Sequence, residues 1–110
     1  MFKIISFISL LFVVQTSLAE CASTGCTDVS IDMLYVTTSG VVYINTSGDE
    51  KLLGCAAESG VFTTLMMGSD GSNAVFSTLL AAQASGKNVS VRTQDGSQGC
   101  NVLYVTLENQ

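Results

Sequence analysis

The residues of this chain that could do chemistry are few, and four of them are cysteines. Cys21, Cys26, Cys55 and Cys100 stand in a sequence of 110 residues that contains no histidine. Zinc sites draw thiolates from closely spaced pairs, commonly with imidazole. Here there is no C-x-x-C and no His, so no metal and no cofactor is expected. In a small chain that opens on an export leader, an even number of cysteines reads as disulfides. Four cysteines allow three pairings, and their places along the chain favour two bonds. Cys21–Cys26 closes a short loop over Ala22, Ser23, Thr24 and Gly25. Cys55–Cys100 joins the end of a mid-chain strand to the start of the last strand. The longer loop constrains the unfolded chain by about 4 kcal/mol in the loop-entropy account.

Other catalytic chemistry finds little support. A Ser, Thr or Cys nucleophile needs a neighbouring base. There is no His, and Lys51 and Lys87 both adjoin turns, so no activated nucleophile is legible and no enzyme is expected. A Ser–Lys pair stays open, though nothing marks one. Asp28 and Asp32 lie four apart on a strand and so share a face, a spacing compatible with acid–base work or a calcium site. No loop gathers the further oxygens that calcium wants, and a solvated strand face accounts for both residues. Asn45-Thr46-Ser47 and Asn88-Val89-Ser90 match the glycosylation sequon, which carries meaning only after eukaryotic export. Tyr35, Tyr43 and Tyr104 fall on strands, where a ring can stack on a sugar or simply pack with its hydroxyl at the rim.

The compartment comes from residues 1–19. Lys3 supplies a positive start, Ile4 to Val14 is nearly all apolar, and Ser17-Leu18-Ala19 places small residues before a cleavage point after Ala19. The apolar run, about eleven residues, is too short to span a bilayer. The rival is a lipoprotein signal ending at Cys21, from which Glu20 departs. The expected product is a secreted or periplasmic single domain, residues 20–110, stabilised by disulfides. Lys51, Lys87 and Arg92 there oppose nine carboxylates. Such acidity argues against nucleic acid and anionic membranes, where Lys and Arg supply the binding energy.

The elements follow from periodicity. Residues 73–85 read as one helix of about three turns, with Asp70, Ser72 and Asn73 as candidate caps. Val75, Phe76, Leu79, Leu80 and Ala82 give it an apolar face, and Gly86 stops it. The other elements read as strands: 27–37, 41–46, a third that begins at Lys51 and resumes over 61–66, then 88–93 and 100–107. Val29, Ile31, Met33 and Tyr35 alternate with Asp28, Ser30, Asp32 and Leu34 on the first of these. Gly54 or Gly60 is a candidate bulge, and Met66-Met67 a core edge. The order, strand-strand-strand-helix-strand-strand (β-β-β-α-β-β), is all-β with one helix. It is that of an OB-fold-like, five-stranded, partly open barrel with its helix against one end.

The stretch Phe76-Ser77-Thr78-Leu79 opening the helix, Gly86 ending it, and the strand Val89-Ser90-Val91-Arg92 together resemble the small exported OB-fold proteins related to the B subunit of subtilase cytotoxin. The likeness covers about a third of the exported chain. The helix is about one turn shorter than in that toxin subunit, and none of the family's sugar-binding residues maps onto a position here. The resemblance implies a fold and a toxin-B-subunit-like, carbohydrate-binding role.

In an OB-fold, ligands meet the second and third strands between two loops. Those loops here supply Thr38 and Ser39 on one side and Asp95, Ser97 and Gln98 on the other. Tyr43 offers a ring between them. Asp95 and the acidic composition favour a neutral or cationic ligand over the acidic sugar the resemblance implies. Two functions follow. One is a non-enzymatic binding module for glycan or peptide. The other is a small structural or accessory protein that acts through protein contacts, compatible with a homo-oligomer.

Overall fold

The computed structural model describes residues 19–108. The leader reading falls on residues 1–18, outside the described residues. The elements run β1 (Glu20–Ala22), β2 (Gly25–Val29), β3 (Ile31–Val36), β4 (Val41–Thr46), a 3-10 turn (Glu50–Leu52), β5 (Thr63–Met66), α1 (Ser72–Ser85), β6 (Val89–Thr93) and β7 (Val102–Leu107). They form two antiparallel sheets, ordered β1-β2-β6-β7 and β3-β4-β5. The mostly-β character with one helix is as expected. The strand count and order are not: seven strands replace five, and five of them precede the helix.

Three local causes account for the difference. Cys21 and Cys26 lie directly opposite each other in a hairpin that turns through Ser23 and Thr24, so the expected loop is a strand pair. The single strand expected over 27–37 divides at Ser30. Asp28 adopts φ 55° there, and Ser30 exchanges two hydrogen bonds with Ser47, donating its N–H to Ser47 Oγ and accepting from the Ser47 N–H. Lastly, the strand expected from Lys51 is a 3-10 turn. The Asp49 side chain caps it by accepting from the Lys51 N–H. Glu50 turns inward, where Oε1 accepts from both the backbone N–H and the hydroxyl of Thr46, at 2.8 and 2.7 Å. A buried carboxylate is costly unless hydrogen-bonded, and the end of β4 supplies those bonds.

The helix runs as its periodicity dictates. Leu79 and Ala82 are buried, with Val75 and Phe76 half-buried beside them. Leu80, expected on that face, is 44% exposed, because one step of about 100° carries it off the stripe. α1 packs against β3 and β5 of one sheet and β7 of the other. Its C-terminus closes as a Schellman motif. Gly86 takes φ 67°, the Gly86 N–H donates to the Gln83 carbonyl, and the Lys87 N–H donates to the Ala82 carbonyl. Its N-terminus departs from expectation. No side chain caps the first turn, and the position is held by Gly71 at φ 75°. Ser72 Oγ instead accepts from the Gly68 N–H in the preceding loop.

The core lies between the sheets and under the helix. Val29, Ile31, Val42, Ile44, Leu65, Val89 and Val91 meet Leu79 and Ala82 there, with Cys26 and Cys100 among them. Both expected disulfides are present, Cys21–Cys26 and Cys55–Cys100. They fit an oxidising environment, extracellular or periplasmic. Among the described residues no helix is long and apolar enough to cross a membrane.

Candidate functional site: an aromatic face on the second sheet

β4 is read cleanly by the period of two. Val42, Ile44 and Thr46 point into the core, while Val41, Tyr43 and Asn45 point outward and are half-buried. β3 is not read so simply. Its register against β4 shifts between Ile31 and Met33, so that Ile31 pairs with Thr46 and Met33 with Asn45. The extra residue is a β-bulge, which re-aims every side chain beyond it. Ile31 and Leu34 therefore face inward, while Met33 and Tyr35 turn out, 49% and 55% exposed. Val29, Ile31, Met33 and Tyr35 do not share one face, as unbroken alternation would have them.

Two rings meet as a result. Tyr35 and Tyr43 are directly opposite across β3 and β4, with ring centroids 5.6 Å apart. A third ring joins from a hairpin ahead of β5. Glu58 and Phe62 pair there antiparallel and exchange both backbone hydrogen bonds at 3.0 Å. The turn between them needs left-handed backbone at Ser59 (φ 53°) and Gly60 (φ 74°). Gly60 bears this at little cost, whereas the Ser59 conformation is uncommon for a residue with a Cβ. Asn45 ties the hairpin down by donating Nδ2–H to the Val61 carbonyl at 3.0 Å. Phe62 then lies 5.9 Å from Tyr43, edge-on, and 6.4 Å from Tyr35.

These rings floor an open cavity of about 300 Å³, rimmed by Thr37, Glu58 and Ser59. The rim thus carries two hydroxyls and one carboxylate. Thr37 is fixed at the start of the β3–β4 turn. Its Oγ1 donates to the Val41 carbonyl at 2.8 Å and lies 2.8 Å from Ser39 Oγ.

The expected site residues divide. Tyr43 is in the cavity. Ser39 reaches it through Thr37, and Thr38 sits exposed at the tip of the same turn. Asp95, Ser97 and Gln98 are not part of the lining. Their loop is laid along residues 54–58. The Ala56 N–H donates to the Ser97 carbonyl, the Gly96 N–H to the Gly54 carbonyl, and Gln98 bridges Ala56 in parallel. Ser97 Oγ is occupied locally, donating to the Gln94 carbonyl and accepting from the Asn101 N–H. This loop supports the hairpin that carries Glu58 and Phe62. Its own polar side chains do not form the site.

Phe62, Glu58 and Ser59 were not among the expected site residues, Tyr35 was weighed only as a strand ring that stacks on a sugar or packs, and Thr37 opens the loop expected to wall the site. For Tyr35 the available signal was weak. Leu34, apolar where the alternation calls for a polar residue, interrupts the pattern, but nothing there marks a bulge. For Glu58 and Phe62 the signal was the dipeptide Ser59-Gly60, a turn former between two residues able to pair.

Asp28 and Asp32 do not form a cation site. Asp28 accepts from Asn88 Nδ2 at 3.1 Å, and Asp32 accepts from Ser30 Oγ at 2.9 Å. Among the described residues no group of His, Cys, Asp and Glu is placed to hold a metal ion. No family model, no curated protein and no solved structure matches this chain.

Proposed function

We propose that the protein is a secreted or periplasmic, non-enzymatic binding module, exported through residues 1–19, whose ligand face is the outer surface of β3, β4 and the Glu58–Phe62 hairpin. The observation that carries this reading is the ring triad Tyr35, Tyr43 and Phe62 beneath a rim of hydroxyls and one carboxylate. Rings give a sugar face an apolar platform, and short hydroxyl side chains answer sugar hydroxyls. A carbohydrate is therefore the ligand class of choice, and a peptide the second. The absence of histidine and the pairing of all four cysteines support binding over nucleophilic catalysis.

An OB-like barrel is the finer architecture we infer. β2 and β3 are nearly one strand, bent at Ser30, and they pair with β6 of one sheet and β4 of the other. Parallel bridges Ala56–Gln98 and Thr64–Asn101 tie the β5 side to the chain entering β7. Helix α1 lies against both sheets, as a barrel plug would. On that architecture the likeness to toxin B subunits drawn from Phe76–Leu79, Gly86 and Val89–Arg92 carries a receptor-binding role as its functional corollary.

The alternative is an accessory protein that docks on another protein. The observation in its favour is that Met33 and Met66 flank the rings and are 49% and 58% exposed, and Met is common on adaptable protein-binding surfaces. A glycan array probed with the exported, disulfide-intact protein decides between them. Binding to a discrete set of structures supports the module. A blank array, with a defined oligomer or a captured protein, supports the accessory role.

A further inference from the structure

We infer that this cavity recognises a quaternary alkylammonium group, of the kind carried by choline. The inference rests on the reading of this face as the binding face and adds the charge of the ligand.

Three observations carry it. First, the rings form a nearly equilateral triangle, with centroids 5.6, 5.9 and 6.4 Å apart. A cation seated over such a triangle lies within about 6 Å of all three ring centroids, the range over which a ring face attracts a cation. The rings are tilted to one another by 31° to 68°, so none is stacked flat on its neighbour. Second, among the described residues the one charged side chain lining the cavity is that of Glu58. Its antiparallel pairing with Phe62 puts the two side chains on the same face of the hairpin, carboxylate beside ring. Third, among the described residues no Lys or Arg lines the cavity. Lys51 lies outside it, its stem against Gly60. A ring face turned to the cavity and the carboxylate act in the same sense, and the acidic chain around them adds to it. A quaternary ammonium satisfies both. It is weakly hydrated and has no N–H, so it loses little on leaving water for an aromatic floor.

The test is an NMR titration of the disulfide-intact protein with choline, and in parallel with its uncharged isostere 3,3-dimethylbutan-1-ol. Choline is expected to shift the resonances of Tyr35, Tyr43, Glu58 and Phe62. The isostere is expected to bind about tenfold more weakly. Glu58→Gln, an exposed and isosteric change, is expected to weaken choline about fivefold while leaving the rest of the spectrum in place. Tyr35→Leu gives a second variant, which removes an exposed ring of the triad, with the same direction expected. Equal affinity for choline and the isostere, or a Glu58→Gln variant that binds choline as the parent does, overturns the inference. If choline leaves the three rings unmoved while a neutral oligosaccharide shifts them, the charge assignment fails and the binding face stands. If neither probe moves them, both fall.

Discussion

Each sheet turns one face outward, and the two faces differ in kind although the same strand period builds them. On β3, β4 and β5 three rings converge over a cavity of about 300 Å³. On β1, β2, β6 and β7 a smaller hollow, about 180 Å³, is lined by Thr24, Thr27, Ser90, Arg92 and Tyr104 along with backbone of the first hairpin. Among the described residues Tyr104 has no ring neighbour of the kind seen on the other sheet. It stands opposite Arg92 across β6 and β7, an ordinary cross-strand pair. A tyrosine on a strand is thus a surface feature by default. What makes the other face a candidate site is convergence, which requires the bulge in β3 and the Ser59–Gly60 turn.

The largest effects should strike both faces equally, because both hang on one core. Leu79 is fully buried beneath α1. Leu79→Ala is expected to cost about 2–5 kcal/mol, seen as a large fall in Tm of the disulfide-intact protein. An unchanged Tm would detach the helix from the core. Removing the Cys55–Cys100 bond, which spans a separation of 45 residues, with a Cys55→Ser, Cys100→Ser double change is expected to cost about 4 kcal/mol. Denaturant unfolding measures it, and a loss under 1 kcal/mol would mean that the unfolded chain is already constrained there.

Glu50→Ala sharpens the comparison, because Glu50 anchors the end of β4 and does not touch β6 or β7 in any hydrogen bond described above. It leaves the Thr46 N–H and hydroxyl short of their acceptor, a cost of about 1–3 kcal/mol. Hydrogen exchange should quicken in β4 before β6. Equal quickening in both strands would make the two sheets one cooperative unit at this site.

Smaller still are changes on the faces themselves. Tyr43→Ala should weaken ligand binding by about 1 kcal/mol or more while moving stability little. Asp95→Ala and Gln98→Ala should leave affinity within about 0.5 kcal/mol, since both side chains are exposed on a loop whose backbone does the packing. A loss at Gln98 equal to that at Tyr43 would restore the loop to the site.

Much of this architecture could be read from residue types. α1 was legible because Val75, Phe76, Leu79 and Ala82 recur at helical spacing ahead of a glycine that can turn left-handed. β4 and β6 were legible because Val42, Ile44, Val89 and Val91 alternate without interruption. The disulfides followed from the even cysteine count and from position, Cys21–Cys26 as closing a short loop and Cys55–Cys100 as joining two expected strand ends. What failed did so for local reasons. A bulge shifts the alternation by one and leaves no residue type that announces it, so Tyr35 could not be placed outside. Glu50 stands at the expected turn before Lys51 and is buried, because its carboxylate folds back on the Thr46 N–H and hydroxyl four residues earlier, a bond that no residue type announces. Val61 to Met66 looked like one strand, yet its first two residues belong to a hairpin with Glu58. The candidate site was half legible for the same reason: Tyr43 lies on a regular strand, and its partners lie on irregular ones.

The measurement closest to the central claim is a glycan array run side by side on the parent protein, Tyr43→Ala and Tyr104→Ala, each confirmed folded by its melting curve. Tyr43 and Tyr104 are both outward tyrosines, one in the ring triad and one outside it. The account predicts that the parent's signals survive Tyr104→Ala and are lost in Tyr43→Ala. Signals that survive Tyr43→Ala, or that vanish with Tyr104→Ala, would contradict it and move the binding face to the other sheet.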